Sequence, residues 1–234
     1  MSQDLAKANG VKILVYSQAG MGKTVLCATA PKPILLSAES GLLSLSNKNL
    51  IRIFGENNPS VTYNIPTIPI KSYMDFQQAY HWVSRNLNQG YFQTVCLDSL
   101  NEIAEICLAN IRVTVKHGQQ AYGELLDQML IAIKNFRDLN CHVYVTCKLD
   151  RKEDAGNGLL HQPLMPGRQL ALQLPFIFDE IFYMTMGTTD KGEKYRVLQT
   201  SPDAMYEAKD RSGCLDMYEL PDLTNIIRKV EEAG

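Results

Sequence analysis

No run of about 18 uncharged apolar residues occurs in the chain, so no segment has the length and hydropathy of a membrane-spanning helix. The first ten residues, Met1-Ser-Gln-Asp-Leu-Ala-Lys-Ala-Asn-Gly10, lack the apolar stretch of a secretory leader, and the expectation is a cytoplasmic protein with no membrane partner. The six cysteines, Cys27, Cys96, Cys107, Cys141, Cys147 and Cys214, contain no Cys-x-x-Cys pair, and most fall in apolar stretches. They read as reduced core thiols rather than a disulfide framework. The four histidines have no ligand spacing, so no structural metal is expected. A dominant charge is missing too: 23 Lys plus Arg against 25 Asp plus Glu leave a net charge of −2. That balance excludes a blanket polycation, and nucleic acid must then be held by local patches or by the groove of an oligomer. There is no internal repeat or low-complexity segment. Hydrophobic residues at 45% and charged residues at 21% exclude a disordered, collagenous or coiled-coil chain.

What is present is an alternation of strand-length apolar runs with longer segments of helical period, the pattern of an α/β domain with a mostly parallel sheet. Strands are expected at 11–16, 33–37, 92–97, 141–146, 180–186 and 195–199. Helices are expected at about 23–30, closed by Pro31, and at 72–86, with Ser72 as N-cap and Asp75 in the first turn. Further helices are expected at 100–115, 119–139 and 222–232. In the fourth of these, Leu125, Leu126, Met129, Leu130, Ile133 and Phe136 recur at helical spacing and read as core. Residues 42–72 stay unassigned, because Pro59, Pro66 and Pro69 suggest extended edge segments. Residues 148–167 have no period and read as a long functional loop, whose Gly156 and Gly158 suit a segment ordered only by a ligand.

The motif with its own chemistry is Ser17-Gln-Ala-Gly-Met-Gly-Lys-Thr24, set between a strand and a helix. Glycines here let successive N–H groups turn inward onto phosphate. The expected nucleotide contacts are Ser17, Gln18, Ala19, Gly20, Met21, Gly22, Lys23, Thr24 and Val25. Lys23 reaches the β- and γ-phosphates of ATP, and the Thr24 hydroxyl ligates Mg²⁺. Ser17 departs from the pattern, standing where a glycine is usual. A carboxylate on the metal side is expected at the end of an apolar strand, and Thr94-Val-Cys-Leu-Asp98 supplies Asp98. Hydrolysis also needs a group to orient water, and the residue after Asp98 is Ser99, which is no base. Glu39, ending Ile34-Leu-Leu-Ser-Ala-Glu39, stands at another strand end where an open sheet gathers its ligand groups. Thr146, ending a strand expected between those of the phosphate loop and the metal carboxylate, is a candidate γ-phosphate sensor.

Ser37-Ala38-Glu39 together with Asp98-Ser99-Leu100 resembles the RecA family, and the whole chain is most similar to short RecA-like, KaiC-type ATPases of bacteriophages, some of which anneal single strands. Pro166-Gly-Arg168, Leu174-Pro-Phe-Ile-Phe-Asp-Glu180 and Lys209-Asp-Arg-Ser-Gly213 carry the likeness beyond the phosphate loop. The resemblance implies a ten-residue tail followed by a single RecA-like domain over 11–234, with antiparallel C-terminal strands. It implies Glu39 as catalytic base, and Lys209 and Arg211 as a basic finger on a neighbour's nucleotide. Single-stranded DNA would meet Arg112, Lys116 and His117, and then Lys148, Arg151, Lys152 and Arg168. The partners implied are DNA, further copies in a ring or filament, and a single-strand-binding protein, during phage recombination or annealing in a bacterial cytoplasm. Two other readings stay open: a P-loop kinase acting on a small molecule, and a nucleotide-dependent protein-binding module with little turnover.

Overall fold

A computed structural model describes residues 9–39, 41–153 and 159–233; most of the expected N-terminal tail, and Gly156 and Gly158, lie outside them. The described strands are β1 (Lys12–Ser17), β2 (Pro33–Ser37), β3 (Thr67–Pro69), β4 (Thr94–Asp98), β5 (His142–Glu153), β6 (Leu159–Pro163), β7 (Glu180–Thr188), β8 (Lys194–Gln199), β9 (Lys209–Asp210) and β10 (Tyr218–Glu219). The helices are α1 (Lys23–Leu26), α2 (Asn47–Phe54), α3 (Tyr73–Asn86), α4 (Leu100–Thr114), α5 (Gly118–Arg137), α6 (Arg168–Ile177) and α7 (Leu223–Ala233).

The sheet runs β10-β8-β7-β1-β5-β4-β2-β3, parallel from β7 through β3, with β8, β9 and β10 joining antiparallel. This is the expected α/β architecture, including the antiparallel C-terminal strands. Both faces are covered, which is why the central strands read as unbroken apolar runs. Alternate residues of β1 enter different cores. Leu14 and Tyr16 pack with α3, α4, α5 and α6 through Phe76, Ile103, Met129 and Leu174. Ile13 and Val15 pack on the other face with Leu26, Leu223, Ile226 and Ile227. In α5, Leu125, Met129, Ile133 and Phe136 are buried, while Leu126 and Leu130 pack partly buried against the same core.

Three expectations change and one helix is added. The helix begun at Lys23 runs as α1 only to Leu26 and tightens to a 3₁₀ turn over Cys27–Thr29, because Pro31 forces Ala30 into extended backbone. The unassigned stretch holds α2 as well as the edge strand β3 with its Pro69. Residues 168–177 form α6 despite Pro175. The expected loop after residue 148 is largely regular: β5 continues to Glu153 and β6 returns antiparallel, Leu149 facing Pro163 and Arg151 facing His161. The buried positions of this ribbon include the polar His161 and Gln162, so no apolar alternation marks it, and strand reading depends on that period.

Candidate nucleotide site

β1 delivers the glycine loop at the C-terminal edge of the sheet. Gly20 (φ +79) and Gly22 (φ +104) take left-handed backbone angles that a side chain would strain. Ser17 is different: it is the last residue of β1, paired with Lys148 and buried, so its position makes no demand for glycine. Its hydroxyl donates to the Gln18 carbonyl at 3.0 Å and accepts from Lys23 Nζ at 3.0 Å. Lys23 also donates to the carbonyls of Ser17 and Gln18, both at 3.1 Å. Burial lowers the Lys23 pKa, opposed by the charges of Asp98 and Glu39. From below, the buried Tyr144 hydroxyl donates to the Lys23 carbonyl at 2.9 Å and fixes the start of α1.

β5 lies between β1 and β4, as the reading of Thr146 required. This order brings two hydroxyls onto one carboxylate. Thr24 Oγ1 donates to Asp98 Oδ2 at 2.9 Å, and Thr146 Oγ1 donates to Asp98 Oδ1 at 2.5 Å. Thr146 therefore orients the Asp98 carboxylate. Burial raises the Asp98 pKa, more than the hydrogen bonds from Thr146 and Thr24 lower it, and Glu39 adds to the rise. A cation beside this carboxylate offsets that burial. Among the described residues no group of three His, Cys, Asp or Glu side chains stands together as a metal cage. The protein thus offers one hydroxyl and one carboxylate, a donor set that suits Mg²⁺, which keeps water and substrate phosphate as its other ligands.

Glu39 reaches the same rim through backbone pairing: the N–H groups of Ala38 and Glu39 donate to the Asp98 carbonyl at 2.8 and 3.2 Å. Ser99, across a cis peptide from Asp98, donates its hydroxyl to Glu39 Oε1 at 2.5 Å. Lys148, expected among the DNA contacts, stands at this rim. Its ammonium is 2.9 Å from Glu102 Oε2 and 4.0 Å from Glu39 Oε1. Burial alone would lower the Lys148 pKa, but the hydrogen bond and charge of Glu102, with Glu39, raise it. The sequence reading missed the roles of Tyr144, Ser99 and Lys148. Spacing did offer one signal, since Tyr144 shares a strand face with Thr146.

Lys209 and Arg211 lie at the other end of the sheet. Asp210 faces Glu180, which faces Ile13 near the start of β1. Lys209 Nζ donates to the carbonyls of Pro175 and Phe178 at 2.7 and 2.8 Å, closing the end of α6. Arg211 pairs with Asp179 at 2.6 Å. Neither can reach the phosphate loop of its own chain. Arg112 and Lys116 are exposed at the end of α4, with Arg112 over the Tyr122 ring at 5.6 Å. Tyr122 in turn packs on Gly167, beside the exposed Arg168. Arg151 and Lys152 lie on the β5 extension, away from Arg112 in sequence and element.

No helix among the described residues is long and apolar enough to cross a membrane. No curated protein matches the sequence. Among solved structures, a KaiC-like protein from the hyperthermophilic archaeon Pyrococcus horikoshii OT3 is similar at 13% identity, over 81% of this chain and 77% of that one, with a TM-score of 0.44. The AAA domain model matches residues 9–212, from just before β1 to just past β9, and the chain therefore belongs to the AAA domain family.

Proposed function

We propose that the chain is a Mg²⁺-dependent ATPase that acts on single-stranded DNA as a ring or filament of its own copies, in recombination or strand annealing of a phage within a bacterial cytoplasm. The observation that carries the ATPase reading is the joining of the Thr24 hydroxyl to the Asp98 carboxylate at 2.9 Å, with Glu39 held on the same rim by Ser99. Thr24 and Asp98 would hold Mg²⁺, which supplies charge neutralisation across the phosphates. The glycine loop binds the phosphates through its N–H groups, and Lys23 turns its ammonium from the Ser17 and Gln18 carbonyls toward them. Glu39, its rotamer fixed by the Ser99 hydroxyl, takes a proton from water as the water oxygen bonds to the γ-phosphorus and the bond to ADP breaks.

The DNA reading draws on the exposed Arg112, Lys116 and Arg168 and on Arg151 and Lys152 of the ribbon; one chain carries too few to bind strongly, and an assembly sums them. Lys148, engaged by carboxylates, belongs with the nucleotide. The finger role of Lys209 and Arg211 belongs to the same proposal and operates only between chains. Phosphate release, followed with and without single-stranded DNA, tests the whole. Stimulation by DNA supports it, whereas a requirement for a small-molecule acceptor identifies a kinase and silence a binding module. Lys23→Ala should abolish nucleotide binding in a fluorescent-nucleotide titration. Glu39→Gln should bind ATP as the parent does and lower turnover by at least about 100-fold; unchanged turnover would remove Glu39 from the reaction.

A further inference from the structure

The strand order decides how a nucleotide lies along the loop. Asp98, Glu39 and Thr146 come from β4, the end of β2 and β5, all on one side of β1. They serve the γ-phosphate end, so the nucleoside leaves the loop on the opposite side, over β7 and β8. Register puts one cation at that height. Tyr183 lies opposite Tyr16, and three residues further along β7 Met186 lies opposite Arg196, about 10 Å beyond Tyr16 and level with the glycine loop. The Arg196 side chain covers Gly22: a Cβ added there would stand 3.3 Å from Arg196 Nε. Arg196 is exposed, and among the described residues no carboxylate pairs with it.

Beside this guanidinium opens a cavity of about 150 Å³ bordered by Gly22, Val25, Ile53, Phe54 and Met184. Apart from Arg196 its named walls are apolar. An apolar slot with one planar cation, continuous with the phosphate loop, matches a flat heteroaromatic ring, whose π-face stacks on guanidinium while its edges leave the water. We infer that this slot holds the purine of the bound nucleotide and that Arg196 lies against the face of the base. The inference rests on the nucleotide-binding reading of the loop, and extends it by assigning the specificity-determining contact to a strand outside the phosphate motif.

Calorimetric titration with two probes in the presence of Mg²⁺, ATP and inorganic tripolyphosphate, separates the possibilities. Arg196→Ala should weaken ATP roughly tenfold and leave tripolyphosphate unchanged, because only the nucleoside contact is removed. Ile53→Asp, which puts a carboxylate at a 37% exposed position of the slot wall, should do the same. Both sites are at the surface, and thermal melts check that the variants fold. Unchanged ATP affinity in both variants overturns the slot. An equal loss for tripolyphosphate in Arg196→Ala also overturns it, making Arg196 a phosphate ligand. Failure of the parent protein to bind either probe overturns the nucleotide reading itself, a result distinct from the other two.

Discussion

Glu180 is a buried acid that the nucleotide site does not use. It is fully buried in β7; among the described residues none donates a hydrogen bond to its Oε2, while Oε1 accepts from the Ser212 N–H at 3.3 Å. Burial, with the negative charge of Asp210 beside it, pushes its pKa from 4.5 up to about 8. Between those two values the folded protein keeps a proton that the unfolded chain has lost, so Glu180 lowers stability as pH rises through that window. His142, lowered by burial from 6.5 to about 4, acts oppositely below pH 6.5, and Lys12, lowered by burial from 10.5 to about 8, acts above pH 8. Comparing Glu180→Gln with the parent cancels both. The variant should match the parent near pH 4.5 and gain about 4 kcal/mol by pH 8 in urea unfolding; a difference independent of pH would mean that Glu180 is ionised in the folded protein. At this scale the sequence put forward Lys23, Thr24 and Asp98 by motif and Glu39 by its place at a strand end, and the fold gathers the four on one rim. Lys148 and Arg196 were not legible in the same way. Lys148 reaches the rim through the register of β5 on β1, and Arg196 reaches Gly22 because β7, which carries β8 beside it, pairs with β1; register between strands far apart in the chain leaves no local trace.

The ribbon of β5 and β6 is fastened to the phosphate-loop strand by one hydroxyl and a stack of rings. Tyr16 Oη, one residue before Ser17, donates to the Glu207 carbonyl at 2.6 Å and stands 3.0 Å from the His161 carbonyl. His161 stacks on Tyr206 at 4.7 Å, and Tyr206 on Tyr183 at 4.0 Å. Tyr16→Phe keeps the packing but leaves the Glu207 carbonyl without its donor, while the His161 carbonyl keeps the Glu207 N–H at 2.9 Å, a loss of roughly 1–3 kcal/mol. Amide exchange should quicken first in β6 and around Glu207, with α3 and α4 unaffected; uniform quickening would show that the hydroxyl stabilises the whole domain and not the ribbon. Elements of this kind divide by how they are stabilised. The parallel strands and α3, with its Ser72–Asp75 capping box, were legible because burial periods and cap chemistry are written locally. The ribbon was not, since tertiary anchors supplied by Tyr16 and Tyr206 stabilise a polar sequence. Helix α6 was left unassigned in the sequence, and it forms although Pro175 removes one of its backbone hydrogen bonds.

Across the whole molecule, the two chemistries read from the sequence lie at opposite ends of β1. The phosphate loop follows Ser17, while Arg211 and Lys209 flank the end marked by Ile13 and Glu180. On the proposed function a finger at that distance acts on another chain, and a head-to-tail stack would bring the finger end of one copy onto the nucleotide end of the next, a heterologous contact of the kind that closes into a ring or runs on as a filament. To serve there, Arg211 must leave Asp179, an exposed pair that contributes little to stability. Arg211→Ala should therefore fold and bind ATP as the parent does, yet lose the rise of turnover per chain with protein concentration. Mixing supplies the decisive arm. Lys23→Ala has a finger without a working loop, Arg211→Ala has a loop without a finger, and each alone is inactive. Combined in equal amounts they form interfaces that pair an intact loop with an intact finger, and activity should return to roughly a quarter of the parent's if neighbours assort at random. An inactive mixture of the two variants, shown to co-assemble by light scattering, would confine Arg211 to its ion pair with Asp179 and leave hydrolysis to the groups gathered around Asp98.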